Sequence, residues 1–253
     1  MPSCELTVLM PVFNERSTIA RAVEEVLAVE LPVASREVLV VDDGSTDGTS
    51  EELAAIGDPD VRVVTHASNR GKGAAVRTGL DAARGRLTIV VDADLELDPA
   101  DIARLVPLVV GTEDVAVFGV RDFPKNSARK LRYLVGNRAV TIAANVLFRA
   151  KLGDVMTGYK LMPTELFRSL PLRERGFGIE PEIASHLLRR RVPIRQVPVR
   201  YVPRARKAGK KLTMLDGLVV VRVLVRCRFA PALTHEAGGR REGVPASQPQ
   251  DGR

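Results

Sequence analysis

The chain has 253 residues, 45% apolar and 27% charged, a composition with room for a substantial core in one α/β domain. Its 20 Gly and 16 Pro are scattered, which excludes a fibrous or low-complexity protein, and Cys4 and Cys227 are too few for a disulfide framework and point to a reducing compartment. The net charge of +7 is unevenly divided: residues 1–120 carry 10 Lys/Arg against 21 Asp/Glu, and residues 121–253 carry 28 against 10. Such a division collects carboxylates in one half and an anion-attracting surface in the other, unlike a uniformly basic nucleic-acid binder.

Leu6–Val12 is an apolar run of strand type, and Arg16–Leu27 carries Ile19, Ala22, Val23, Val26 and Leu27 at helical spacing. Glu37–Val41 predicts a second buried strand, stopped by Asp42-Asp43-Gly44-Ser45, with a helix over Thr46–Ile56. Val61–Thr65 follows as a strand, Gly73–Ala83 as a helix, and Leu87–Val91 as a strand ending in Asp92-Ala93-Asp94. Pro99–Val110 reads as helix and Val115–Val120 as strand. Strands alternating with helices at this spacing predict an α/β fold with a mostly parallel sheet covered on both faces. Ligands gather at the carboxyl ends of such strands, where both acidic pairs fall.

Beyond Arg121 the pattern changes. Ser127–Ala150 predicts one long helix or two, Glu180–Arg190 a further helix, and Ile194–Val202 an alternating strand. Arg204–Lys211 is a basic, Gly-containing loop, and Leu212–Phe229 fits an amphipathic surface helix. No run of about 18 uninterrupted apolar residues is present, so no simple membrane-spanning helix is expected. Nor does a basic leader followed by a long apolar run open the chain, so no secretory signal is read. From about Thr234 the composition turns to Gly, Pro, Gln, Ser and charge, which predicts a disordered tail over 234–253.

Asp92 and Asp94, two residues apart just past a buried strand, can reach one divalent cation directly or through water. Oxygen donors suit Mg²⁺ or Mn²⁺, with Glu96 and Asp98 close enough to help. The competing reading is an acidic turn and helix cap. Asp42 and Asp43 either cap the next helix or accept bonds from base and ribose donors. Asn69-Arg70-Gly71-Lys72-Gly73 is a Gly-rich strand-to-helix turn without the spacing of a P-loop. Three scattered histidines, His66, His186 and His235, give neither zinc spacing nor a recognisable triad.

Taken in order, Met10-Pro11-Val12-Phe13-Asn14-Glu15, Val41 to Thr49 (VDDGSTDGT), Asn69 to Gly73 (NRGKG) and Asp92-Ala93-Asp94-Leu95 resemble the family 2 glycosyltransferases. Thr157-Gly158-Tyr159-Lys160, Gly176 to Glu182 (GFGIEPE), and Gly209-Lys210-Lys211 followed by Asp216-Gly217 resemble the family's polyprenyl-phosphate branch. That branch includes dolichol-phosphate mannose and glucose synthases. The likeness covers about residues 5–229. It implies a GT-A fold, a Rossmann-like sheet flanked by helices, in a single domain over 1–233. A nucleotide-binding part over about 5–120 would precede an acceptor-side part over about 121–229.

The resemblance implies a nucleotide-sugar donor, GDP-mannose or UDP-glucose, and inversion at the sugar carbon. It places Pro11, Glu15, Asp42 and Asp43 at the nucleoside, Lys72 among the donor contacts, and Asp92, Asp94 and Glu96 at the metal and diphosphate. Arg121, in Gly119-Val120-Arg121, matches a segment near the acceptor, with Val where Ser is usual. Thr157-Gly158-Tyr159 also departs from the usual pattern and leaves the sugar open. Asp94 and Arg121 are the expected catalytic residues. Bond cleavage builds negative charge on the leaving nucleotide, which a cation and Arg204, Arg206, Lys210 or Lys211 closing over the phosphates would stabilise.

A lipid phosphate acceptor carries its own anionic oxygen and needs orientation rather than a strong base. Arg121 and Arg129 are candidates to hold it. The expected location is cytoplasmic, peripheral at the cytoplasmic membrane face, with the Leu218–Phe229 helix on the bilayer surface. A second reading keeps the donor but uses a soluble sugar or natural-product hydroxyl, making Glu180 or Glu182 indispensable as a base. A third, a non-catalytic nucleic-acid binder, is opposed by 4% aromatics and no Trp.

Overall fold

The computed structural model describes residues 5–122, 130–203 and 214–231. Strands β1 (Leu6–Val12), β2 (Arg36–Asp42), β3 (Val61–Thr65), β4 (Leu87–Val90), β5 (Ala116–Asp122), β6 (Lys160–Pro163) and β7 (Ile194–Arg200) form one sheet in the order β3-β2-β1-β4-β6-β5-β7. All pairs are parallel except those of β6, which runs antiparallel to both β4 and β5. The helices are α1 (Ile19–Ala28), α2 (Thr49–Ala54), α3 (Lys72–Ala82), α4 (Ile102–Leu105), α5 (Lys130–Phe148), α6 (Thr164–Arg168), α7 (Ile179–Arg189) and α8 (Met214–Phe229).

Central strands buried on both faces explain the near-continuous apolar runs. Leu6, Val8, Met10 and Val12 of β1 point into one core with α1 and α4, whereas Leu9 joins Leu39 and Val41 in the other, against α3, α5, α7 and α8. Strand β6 and helix α6 have no counterpart among the sequence-derived elements. Helix α1 begins at Ile19 rather than Arg16, and α2 at Thr49 rather than Thr46, because Gly48 sits at φ 97° and Asp47 accepts the Thr49 N–H (3.0 Å). The expected 99–110 helix is one short α-helical turn between two 3₁₀ turns, Pro99–Asp101 and Val106–Leu108. Pro99 starts the segment, and Pro107 inside it removes a backbone donor and interrupts the ladder. The 204–211 loop and the 234–253 tail lie outside the described residues, as do Arg129, Arg204, Arg206, Lys210 and Lys211.

The direction of the parallel strands sets the site. Strand order reverses at β1, with β2 on one side and β4 on the other, so the crevice opens at their carboxyl ends. Strand β4 pairs with β1 only from Leu6 to Leu9. Pro11 therefore sits on a central strand where its β4 neighbour has already ended, and the missing N–H costs no ladder bond there.

At the opposite end, buried Glu37 accepts the Thr7 hydroxyl (2.6 Å), the Arg84 N–H (2.6 Å) and Arg62 Nη1 (2.6 Å). Replacing Glu37 by Ala would strand three donors, so we expect a loss of about 3–5 kcal/mol in urea unfolding. A loss under about 1 kcal/mol would show that water replaces the carboxylate.

Candidate active site

Three turns converge at the crevice. The first leaves β1, and Asn14 at φ 55° stitches it to the second: its N–H donates to Ser45 Oγ (3.0 Å) and its Oδ1 accepts the Thr46 N–H (2.8 Å). The Glu15 N–H donates to Thr49 Oγ1 (2.9 Å), while its half-buried carboxylate accepts the Thr18 hydroxyl (2.7 Å). Pro11 is buried beneath this turn.

At the end of β2, Asp42 is fully buried and accepts the Ser45 N–H (3.0 Å) and the Ser50 hydroxyl (2.5 Å). Asp43 reaches the other way: Oδ1 meets His66 Nδ1 (2.6 Å) and accepts the Arg70 N–H (2.9 Å), and Oδ2 accepts the Gly71 N–H (2.7 Å). His66 Nε2 continues to Thr78 Oγ1 (2.9 Å) on α3. Adjacent acids on one strand thus close two different loops, and Asp43 fixes the Gly-rich turn. Gly71, at φ 92°, and Gly73 lie so close to the carbonyls of Arg175 and Glu174 that a Cβ at either would overlap them. The Gly73 N–H donates to Arg175 O (2.7 Å), which docks the start of α3 against the segment leading into α7.

This docking delivers Lys72. Its Nζ lies 2.6 Å from Asp92 Oδ1 and 2.5 Å from Glu180 Oε1. Burial alone would lower its pKa, but the two carboxylates outweigh burial and raise it. Glu180 is itself buried, and its Oε2 has no protein partner among the described residues. On the other side of Asp92, Gly158 approaches so closely that a Cβ would overlap Oδ2.

After Asp94 the chain turns sharply, with Leu95 in the left-handed region at φ 57° and the Glu96 N–H donating to Asp94 Oδ1 (3.1 Å). A non-glycine residue held there carries strain of about 1–3 kcal/mol, and such strain clusters at functional sites. Burial, then the charges of Asp92 and Glu96, push the Asp94 carboxyl up to about 7. Glu96 accepts the Tyr201 hydroxyl (2.9 Å), whose ring lies under Arg121 at 5.3 Å. Arg121 grips Asp154 with Nε (2.6 Å) and Nη2 (3.0 Å), and Asp154 Oδ1 also accepts the Met156 N–H (2.9 Å).

Lys72 thus pairs with Asp92, while Asp94, Glu96, Tyr201 and Arg121 follow one another along the same crevice, and Asp42, Asp43 and Glu15 brace the neighbouring loops. Sequence reasoning missed Asp154 and gave no contact to Gly158. Only the motif around Gly158 signalled it, and nothing marked Asp154, 33 residues from its arginine. The donor chemistry fits a hard divalent cation: Asp92, Asp94 and Glu96 offer oxygens, and burial beside the Asp92 and Glu96 charges raises the Asp94 pKa.

Glu182, His186 and Cys227 form a second buried cluster whose possible ligand atoms lie within 4.8 Å of one another. Cys227, 41 residues beyond His186, hides it from local spacing rules. Arg226 already lies 2.6 Å from Glu182 Oε1. Burial together with Arg189, Arg190 and Arg226 holds His186 down to about 4, a field that opposes another cation.

A Rossmann-like sheet with oxygen donors at its switch point sets out a cation-compatible crevice. The family described as glycosyl transferase family 2 matches residues 7–170, and the chain belongs to that family. It is 32% identical over 222 residues to glycosyltransferase AglJ of Haloferax volcanii, covering 87% of this chain and 70% of that one. It is 29% identical to polyprenol monophosphomannose synthase of Mycolicibacterium smegmatis, covering 80% and 79%. Over 114 residues it is 40% identical to dodecaprenyl-phosphate galacturonate synthase of Rhizobium johnstonii, covering 41% of this chain and 32% of that relative's length. The fold is GT-A: a solved structure of glucosyl-3-phosphoglycerate synthase from Mycobacterium tuberculosis, in complex with Mn²⁺, UDP and phosphoglyceric acid, matches with a TM-score of 0.72. Its identity is 23%, over 90% of this chain and 80% of that one.

Because its pKa lies above the ordinary 3.8, Asp94 opposes folding increasingly as pH rises from about 4 to about 7. Without divalent cations, the stability of Asp94→Asn relative to wild type should grow across that window in urea titrations. A difference that does not change with pH would contradict the placement of a buried Asp94 beside the charges of Asp92 and Glu96.

Proposed function

We propose that this family 2 glycosyltransferase moves a hexose, mannose or glucose, from GDP-mannose or UDP-glucose to a polyprenyl phosphate at a membrane surface, using Mg²⁺ or Mn²⁺. The observation that carries this reading is the engagement of both α7 glutamates. Glu182 accepts the N–H groups of Arg173 (2.9 Å) and Glu174 (2.8 Å) with Oε2 and pairs Arg226 with Oε1, so it braces the fold. Glu180 is paired with Lys72. Glu182 is committed to backbone and Arg226, and Glu180 shares its charge with Lys72, whereas a phosphate monoester brings an anionic nucleophile of its own. The named acceptors of two relatives, polyprenol monophosphate and dodecaprenyl phosphate, agree in chemistry.

In this reading residues 5–120 handle the donor and 121–229 the acceptor. Pro11, Glu15, Asp42 and Asp43 frame the nucleoside pocket. Asp92 and Asp94, with Glu96, hold the cation, which when bound supplies the charge that stabilises the departing nucleoside diphosphate. Lys72 holds the Asp92 carboxylate in place and adds positive charge beside the diphosphate. Glu180 Oε2 is available to accept a sugar hydroxyl. Arg121, kept rigid by Asp154, faces the acceptor phosphate, with Arg129 assigned from sequence. Arg204, Arg206, Lys210 and Lys211 are assigned to the diphosphate on the same basis.

The membrane element of the proposal rests on α8. No helix among the described residues is long and apolar enough to cross a bilayer. Val220, Val223, Leu224 and Cys227 bury one side of α8, while Val221, Val225 and Phe229, at i, i+4 and i+8, stay exposed. Helical geometry sets Arg228 on one side of that stripe and Arg222 on the other. Neighbouring α5 exposes Ile142 and Val146, and Arg228 Nε fastens the pair by donating to Leu147 O (2.9 Å). An apolar stripe between arginines suits an anionic bilayer surface.

The deciding assay incubates the protein with polyprenyl phosphate, Mn²⁺ or Mg²⁺, and labelled GDP-mannose or UDP-glucose in parallel. We expect chelator-sensitive label in the organic phase from one donor. Asp94→Ala should lower it by about 100-fold or more, and Glu182→Gln should retain transfer while unfolding at lower temperature. Label appearing only on a soluble acceptor, with transfer abolished by Glu180→Gln, would replace the lipid reading. Separately, Val221→Asp with Val225→Asp should weaken sedimentation with phosphatidylglycerol vesicles by about tenfold or more. Unchanged binding would remove α8 from the membrane surface.

A further inference from the structure

Lys160 lies in the middle of the sheet with 1% of its surface exposed, opposite Val90 of β4 and Phe118 of β5. Its Nζ donates to the carbonyls of Val155 (3.0 Å) and Thr157 (2.6 Å) and stands 4.5 Å from the Phe118 ring centroid. It makes no ion pair among the described residues. A buried ammonium without a paired carboxylate is costly, and an apolar side chain of similar length would fill the space without that cost. Burial pushes its pKa down to about 8 against the pull of Glu180 and Asp154.

What the ammonium holds is the 154–158 turn. One end of that turn carries Asp154, the partner of Arg121, and the other carries Gly158, which abuts Asp92 Oδ2. The following residue is tied to β5 by the Gly119 N–H donating to Tyr159 O (3.0 Å). Asp92 is thereby wedged between the Lys72 ammonium and the Gly158 backbone. We propose that Lys160 is a positioning residue for the metal-side carboxylate: it clamps the carbonyls of Val155 and Thr157 so that Gly158 fixes the orientation of Asp92. The inference rests on the assignment of a divalent cation to Asp92 and Asp94.

The test measures Mn²⁺ affinity by paramagnetic resonance on the full chain, with UDP and with GDP, in the absence of turnover. Lys160→Met should weaken Mn²⁺ binding by about tenfold, as loss of support behind a metal ligand does. The substitution also leaves the Val155 and Thr157 carbonyls without their donor, so its melting temperature should fall, and binding is measured well below it. Gly158→Ala, which displaces Asp92 from the other side, should give a similar loss, and the double variant should be no weaker than the worse single. Wild-type Mn²⁺ affinity in Lys160→Met, or additive losses in the double variant, would overturn the clamp. If Lys160→Met does not fold, Gly158→Ala decides, because unchanged affinity there removes the contact through which Lys160 acts. A wild-type chain that binds no Mn²⁺ with either nucleotide sinks the cation assignment itself and this role with it.

Discussion

One ammonium group ties the two halves of this molecule together. Lys72 enters at the first turn of α3, Asp92 follows the end of β4, and Glu180, 108 residues after Lys72, opens α7. At 2.6 and 2.5 Å the two contacts leave no room for water between the charges. Their worth depends on burial, because two carboxylates this close to one cation in a solvated site would gain little. Everything that brings Lys72 inward therefore matters: the Asp43 carboxylate that closes the 66–71 turn, and the two glycines that let this turn meet the carbonyls of Glu174 and Arg175. A side chain at Gly71 or Gly73 would push α3 away from the segment before α7 and lift the ammonium out of its seat.

The same geometry separates acids that look alike in the sequence. Asp42 and Asp43 are neighbours, yet one caps the loop after β2 and the other braces the Gly-rich turn. Glu180 and Glu182 are two apart on α7, yet one faces the crevice and the other ties down backbone N–H groups and Arg226. Positions i and i+2 on a helix point in different directions. Only the residue facing the crevice leaves an oxygen without a protein partner among the described residues. The arrangement reserves acceptor capacity at the mouth and satisfies the carboxylate behind it.

How much of this was legible follows the range of the interactions. The first five strands and the helices between them have local, periodic signals, and the acidic pairs stood out because each follows a buried strand. Strand β6 has four residues and lies antiparallel between β4 and β5, so neither length nor alternation marked it. Its Lys160 is a charged residue inside the sheet, which a hydrophobicity pattern reads as an exposed position. The pairing of Arg121 with Asp154 and of Asp43 with His66 joins residues 33 and 23 apart through the fold alone. Motif resemblance found the places where chemistry gathers, while the contacts that orient those residues are tertiary and leave no spacing rule.

The division of charge along the sequence acquires a spatial meaning from the same contacts. The acidic half supplies Asp92, Asp94 and Glu96, oxygen donors of the kind a hard divalent ion takes. The basic half supplies arginines of two kinds. Arg226 is paired with Glu174 and Glu182, so its charge is committed to holding shape, while Asp154 fixes the orientation of Arg121. Arg222 and Arg228 stand at the flanks of an exposed apolar stripe, where charge and hydrophobic area act together on one surface. Gly178 links that surface to the crevice, since its backbone packs on Val223 of α8 two residues before Glu180. A helix lying on an anionic layer would thus hold the crevice at a fixed distance from it, and an acceptor anchored in that layer could meet the sugar without the protein crossing the bilayer.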